Sequence, residues 1–117
     1  MSAQVLGIGG IFFRAENPDA LNAWYRDTFG ITPAADHTPW QAGGGMLVFS
    51  AFKNNSDYYP AAQQTMINFR VKDLDAFLTE LAAKNVRIDE KRMDESYGKF
   101  AWVYDPEGNK IELWQEV

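Results

Sequence analysis

The sequence contains no cysteine and a single histidine. The absence of cysteine excludes disulfides, thiolate nucleophiles and cysteine-based metal sites. Basic runs are also absent and the formal net charge is −5, so the surface should attract neither nucleic acids nor anionic membranes. The apolar stretch over residues 5–13 is broken by glycines and stopped by Arg14, which fits neither a signal peptide nor a membrane-spanning helix. We therefore expect a cytoplasmic protein without nucleic-acid or membrane partners.

The most informative feature that is present is a repeat. Residues 10–20 align without a gap on residues 66–76, and each copy is typical of a strand that runs through a turn into a helix. The identical pairs are Ile11 and Ile67, Phe13 and Phe69, Arg14 and Arg70, Asp19 and Asp75, and Ala20 and Ala76. Because each half alone would bury too little surface to be stable, the halves should share one core and leave a cleft between them.

Each half is predicted to consist of a strand, a helix and three further strands. In the first half the strand covers residues 5–15, the helix is capped by Asn17 and ends at Gly30, and strands follow over residues 31–35, 40–42 and 46–52. In the second half Asp73 caps the helix, Asn85 ends it, and strands cover residues 86–91, 99–104 and 110–115. The fold class is therefore α+β, with two βαβββ modules over residues 1–52 and 65–117, a polar connector over residues 53–64, and one domain over residues 1–117.

Two segments carry a family resemblance: the helix end WYRDTFG over residues 24–30 and the closing segment YDPEGNKIELW over residues 104–114. Together with the repeat they resemble the vicinal oxygen chelate superfamily, the group of glyoxalase I, bleomycin-resistance proteins, fosfomycin-resistance enzymes and extradiol dioxygenases. The resemblance covers nearly the whole chain. It implies a curved, partly open barrel sheet in each module, helices outside, a ligand or metal on the concave face, and a homodimer.

The resemblance also implies metal ligands on the first and last strand of each module. Of these positions only Glu112 carries a metal-binding side chain. The others hold Gly10, Met66 and Leu47, or Val48 if the register slips by one residue. None of them offers a nitrogen or oxygen donor, and His37 lies in a loop away from every implied position. We predict no cofactor and disfavour a divalent metal, so the resistance proteins that bind without metal are the closer analogy.

Strand alternation predicts the side chains that line the cleft. If residues 101, 103, 111 and 113 face the helices, their neighbours face the cleft. The predicted cleft residues are Phe100, Trp102, Tyr104, Glu112 and Trp114, joined by Phe12, Arg14, Phe49, Asn68 and Arg70 from the remaining strands. Such a surface suits a flat or amphipathic organic molecule. Alternatively, the aromatic residues fill the barrel or a dimer seam.

Individual roles remain open at this point. Glu112 is a candidate general base, or it forms a salt bridge with an arginine or with Lys110. Arg14 and Arg70 either orient a carboxylate or phosphate ligand or pair with Glu112 and other acids. Tyr58 lies in the connector and either closes over the cleft as a lid or makes a dimer contact.

Three functions compete. The leading hypothesis is a metal-independent protein that binds a small organic molecule in the aromatic cleft. The second is a lyase, isomerase or dioxygenase of the same superfamily, which uses Glu112 as a base or recruits a metal through residues such as Asn68 or His37. The third is a structural or regulatory dimer without catalysis. Metal content and the thermal stability with added metal discriminate between the first two, because binding to the native state stabilises it.

Overall fold

The structure is a computed structural model, and it describes residues 11, 13–31, 43–45, 48 and 50–117. Its elements are α1 (Pro18–Phe29), β1 (Ile67–Arg70), α2 (Leu74–Ala83), β2 (Arg87–Glu95), β3 (Gly98–Tyr104) and β4 (Lys110–Glu116). The described strands form one sheet in the order β1-β4-β3-β2. In this sheet β1 runs parallel to β4, and the other neighbours are antiparallel. Helices packed on an open sheet confirm the predicted α+β class.

The second module follows the predicted order, with one strand longer than expected. From β1 to β4 the chain is βαβββ, but β2 extends to Glu95, beyond the predicted end at residue 91. The added residues include Arg92 and Asp94, and a charged run of this kind is typical of a loop. In the described sheet, however, β2 is an edge strand, where charged side chains stay solvated and prevent pairing with other chains.

The helix ends lie where the sequence placed them. The side chains of Asn17 and Asp73 each accept a hydrogen bond of 3.1 Å from the backbone N–H three residues later. Pro18 occupies the first turn of α1, where its missing N–H costs nothing. Gly30 and Asn85 adopt left-handed backbone conformations, with φ of 74° and 61°, as expected for residues that end helices.

The core lies between the helices and one face of the sheet. Leu74 and Leu81 of α2 are fully buried, and Leu21 and Tyr25 of α1 are nearly so. The sheet residues in this cluster are Ala101, Val103, Ile111 and Leu113. They are the residues that alternation assigned to the helix side, so this prediction is confirmed.

The turn between β3 and β4 ties the sheet to α1. Asp105 is 4% exposed. It accepts hydrogen bonds from the backbone N–H groups of Glu107 and Asn109 at 2.9 and 3.0 Å, from the Asn109 amide at 2.7 Å and from the Tyr25 hydroxyl at 2.9 Å. Burial, together with the adjacent Asp105 carboxylate, raises the pKa of Tyr25, so the phenol remains a donor. The Glu107 carboxylate accepts from two backbone N–H groups just before α1.

The predicted strands of the first module lie largely outside the described residues, and the division into two modules stays a prediction. Within the part of the chain that is described, neither helix is long and apolar enough to cross a bilayer.

The β2–β3 hairpin contains a glycine that the sequence analysis did not single out. Gly98 has φ of +149°, and a Cβ at this position would lie 2.4 Å from Nε1 of Trp114 and 2.9 Å from the carbonyl oxygen of Gln115. We expect Gly98→Ala to lower the free energy of unfolding by about 2 kcal/mol, because it adds backbone strain and a steric clash. Urea denaturation measures the change. Gly43→Ala is the control, since a Cβ there meets nothing within 4 Å, and equal losses would contradict the assignment.

Candidate functional site

The face of the sheet opposite the core carries the predicted cleft residues. In its middle row Asn68, Glu112 and Trp102 are direct neighbours on β1, β4 and β3. The adjacent row places Trp114 between its neighbours on β1 and β3. We call this surface the aromatic face; its members are Asn68, Arg70, Phe100, Trp102, Tyr104, Glu112 and Trp114. Strand register therefore brings together the described residues that alternation predicted.

Glu112 lies at the centre of the aromatic face and is 9% exposed. Its Oε1 accepts a hydrogen bond of 2.7 Å from Nδ2 of Asn68. Its Oε2 accepts one of 3.0 Å from Nε1 of Trp102 and another from the hydroxyl of Tyr58. All of these donors are neutral, and the ion pairs found among the described residues do not include Glu112. The carboxylate is thus held by hydrogen bonds and not by the salt bridge that was the alternative.

Tyr58 reaches the aromatic face from the connector. Its ring stands edge-on to Trp102, with centroids 5.9 Å apart and an interplanar angle of 79°. Burial, followed by the hydrogen bond to Glu112, raises the pKa of Tyr58, so the hydroxyl stays protonated and donates. Lys110 holds the connector by donating from Nζ to the Tyr58 carbonyl at 2.7 Å. Gln63 adds two side-chain bonds to the Lys110 backbone, at 2.7 and 2.8 Å.

A second aromatic group lies beside this centre. Phe100 and Trp114 are stacked, with centroids 6.1 Å apart and an interplanar angle of 4°. Tyr97, at the hairpin tip, lies 5.7 Å from Phe100 and is 60% exposed. Nε1 of Trp114 is buried and has no hydrogen-bond partner. Sequence reasoning missed Tyr97 because it occupies a turn, where strand alternation predicts no facing.

Polar groups from β2 also border the aromatic face. Nζ of Lys110 and Nζ of Lys91 lie 5.3 and 5.8 Å from the Trp102 ring centroid. The hydroxyl of Tyr104 donates to Asp89 at 2.6 Å, and this bond is the main cause that raises the pKa of Tyr104. Lys91 and Asp89 were not predicted, because the β2–β3 register shifts between residues 88 and 92 and a bulge changes which side chains face the cleft.

The repeat-related arginines do not contact Glu112. Nη1 of Arg70 lies 3.2 Å from a carboxylate oxygen of Glu116, and Nη2 donates to the carbonyl of Gly44 at 3.0 Å. Arg14 is exposed and forms no hydrogen bond or ion pair with the residues that the structure describes. The proposed pairing of either arginine with Glu112 is therefore not observed, whereas pairing of Arg70 with another acid is.

Two cavities border the sheet on opposite sides. One of about 490 Å³ opens where the aromatic face meets the connector, with Tyr104 and Lys110 on its sheet side. Its connector side consists of Asn55, Ser56, Asp57, Tyr59, Pro60 and Ala61. The other, of about 400 Å³, includes Phe69 and Phe77 and belongs to the helix side. Only the first adjoins the aromatic face, and its volume is within the range of small-molecule sites.

The side chains around Glu112 do not fit a divalent metal. Asn68, Trp102 and Tyr58 donate hydrogen bonds to the carboxylate, so they occupy its lone pairs and add no ligands. Met66, at an implied ligand position, has no oxygen or nitrogen donor. Within the described ranges no group of three or more histidine, aspartate or glutamate side chains is arranged to hold a metal ion.

Several predicted positions lie outside the described residues. Phe12 and Phe49 belong to the predicted cleft lining, and Gly10, Leu47 and His37 belong to the metal hypothesis. Their roles stay predictions. Val48 is described and is 76% exposed.

Comparison with known proteins bears on the whole chain. Residues 7–113 match the model of the Glyoxalase/Bleomycin resistance protein/Dioxygenase superfamily. The structure is similar to lactoylglutathione lyase from Agrobacterium tumefaciens, at 23% identity over 97% of this chain and 96% of that chain, with a TM-score of 0.63. It is also similar to TnmS3, an antibiotic binding protein from Streptomyces sp. CB03234, at 16% identity over 99% and 100% of the two chains, with a TM-score of 0.65. At these identities the likeness concerns the fold. No functionally curated protein matches the sequence.

Proposed function

The chain belongs to the glyoxalase/bleomycin resistance protein/dioxygenase superfamily, and on that premise we propose that it binds a small organic molecule at the aromatic face without a metal ion. The observation that carries the proposal is the environment of Glu112, a nearly buried carboxylate bound by neutral donors and surrounded by aromatic rings. Aromatic rings with a few fixed polar groups are typical of small-molecule sites. TnmS3, a protein with the same fold, is an antibiotic binding protein, which is compatible with this function.

The cavity beside the connector supports a route to this site. It is bordered by Tyr104 and Lys110, and Lys110 holds the connector at the Tyr58 carbonyl. A molecule in this cavity would lie next to the segment that covers Glu112. Loops of this kind commonly contribute to ligand binding, so we assign the connector to the site.

An enzyme in which Glu112 acts as a general base is the second candidate. A carboxylate beside a phenol provides the proton acceptor and donor that acid–base catalysis needs. In the present arrangement, however, Oε1 accepts from Asn68 and Oε2 accepts from Trp102 and Tyr58. A substrate C–H group would have to displace one of these donors to reach a carboxylate oxygen, which makes binding the better-supported function.

Thermal denaturation with a panel of aromatic compounds and with nickel, zinc, manganese and iron salts tests the proposal. At saturating concentration we expect a matching aromatic compound to raise Tm by about 5 °C, because ligand binding to the native state stabilises it. The metals should have no comparable effect. Glu112→Gln should abolish the shift, since it replaces one carboxylate acceptor by an amide donor.

Glu80→Gln serves as the matched control, because Glu80 is an exposed residue of α2 on the other side of the sheet. It should respond as the wild-type protein does. Stoichiometric metal that stabilises the purified protein would overturn metal independence. A panel without any stabilising aromatic compound would overturn the binding function. The predicted homodimer and cytoplasmic location stay predictions, and light scattering on the purified chain measures the former.

A further inference from the structure

We infer that the ligand is a neutral phenol or a related hydroxyl-bearing aromatic molecule, which takes the place that the Tyr58 side chain occupies at Glu112. This inference rests on the proposed function and narrows it to one class of ligand. Tyr58 then acts as an internal competitor that the ligand displaces.

The contacts of Tyr58 are those of a bound phenol. Its hydroxyl donates to Oε2 of Glu112, and its ring stands edge-on to Trp102 at 5.9 Å. The connector is held independently of the ring, through the bond from Lys110 to the Tyr58 carbonyl and the bonds of Gln63 to the Lys110 backbone. The phenol ring can therefore leave while these backbone contacts remain.

The hydrogen bonds at Glu112 determine what can replace the phenol. Asn68 and Trp102 stay as donors, and the vacated position on Oε2 requires a further donor, because a buried acceptor without its partner is costly. A hydroxyl group meets this requirement. An apolar ring leaves the position empty, and a ligand carboxylate brings a second negative charge next to Glu112. Sites that bind a hydroxyl group discriminate strongly against analogues that lack it.

Chemical rescue of Tyr58→Ala tests this inference, with 4-methylphenol as the probe because it reproduces the Tyr58 side chain. Isothermal titration should give a dissociation constant at least about tenfold lower for Tyr58→Ala than for the wild-type protein, because the internal competitor is gone. The same compound should recover the Tm that Tyr58→Ala loses. Toluene, which lacks the hydroxyl, and 4-methylbenzoate, which is anionic, should bind more weakly than 4-methylphenol by about tenfold or more.

Tyr59→Ala is the matched control, because Tyr59 is the next residue of the connector and its ring contacts Phe52. It should show no rescue by 4-methylphenol. Tyr58→Phe keeps the ring and removes only the hydroxyl, so it provides a folded variant if Tyr58→Ala is unstable. Loss of the competing hydrogen bond should make Tyr58→Phe bind 4-methylphenol about three- to tenfold more tightly than the wild-type protein.

The outcomes separate this inference from the proposed function. Equal binding of toluene and 4-methylphenol, or tighter binding of 4-methylbenzoate, would overturn the hydroxyl requirement and leave aromatic binding intact. Unchanged affinity for 4-methylphenol in both Tyr58 variants would overturn the role of Tyr58 as competitor. Failure of every aromatic compound, on the wild-type protein and on both variants, would overturn the proposed function as well.

Discussion

Trp102→Ala is expected to lower the free energy of unfolding by about 4 kcal/mol, as for other large aromatic residues removed from a packed interior. The residue is 1% exposed, and its indole ring packs against Tyr58. Truncation leaves a cavity and also removes the Nε1 donor from Oε2 of Glu112. The loss therefore combines packing with an incompletely bound, nearly buried carboxylate.

A pair of phenylalanine variants separates these contributions, and urea denaturation followed by circular dichroism measures both. Trp102→Phe keeps an aromatic ring but removes the bond to Glu112, which should cost about 2 kcal/mol. Trp114→Phe is the control, because Nε1 of Trp114 is buried without a partner. Removing an unpaired donor should compensate for lost ring contacts, so the change should be within about 1 kcal/mol. The reverse order would show that the Trp102–Glu112 bond does not stabilise the fold.

Asp105→Ala is expected to lower the free energy of unfolding by about 3 kcal/mol, because buried donors lose a charged acceptor. Asp105 binds the Tyr25 hydroxyl, the backbone N–H groups of Glu107 and Asn109, and the Asn109 amide. The variant both opens the β3–β4 turn and releases α1 from the sheet. Thermal or urea unfolding of the purified variant measures the loss.

Two further variants test this origin. Tyr25→Phe removes one partner of Asp105 and should cost about 1 kcal/mol. Asp94→Ala removes an exposed aspartate whose bond is to Arg92 on the same strand, and exposed ion pairs contribute about 0 to 1 kcal/mol. An effect of Asp105→Ala no larger than that of Asp94→Ala would contradict a structural role for the turn.

Much of the described fold follows from local patterns. Asn17 and Asp73 cap their helices as predicted, and Gly30 and Asn85 end them. The helix-facing residues of β3 and β4 follow from strand alternation. The end of β2 was predicted too early, because the charges of an edge strand resemble those of a loop.

The candidate site was predictable only in part. The aromatic face, with Glu112 between Asn68 and Trp102, follows from alternation and from pairing of neighbouring strands. Lys91 and Asp89 did not follow, because the register shift in β2 is not visible in the residue pattern. Tyr97 and Gly98 did not follow either, because their importance comes from rings on another strand.

The sequence by itself determined the helices, their ends, the buried side of the strands, the family and the absence of metal-binding side chains at most implied positions. These properties depend on residue type and on neighbours within one or two turns of chain. Only the tertiary structure decided that Tyr58, 54 residues away along the chain, donates to Glu112 and that Arg70 does not pair with it. Such contacts depend on strand register and on where the connector crosses the sheet, because the packing of whole elements decides which distant donors meet one acceptor.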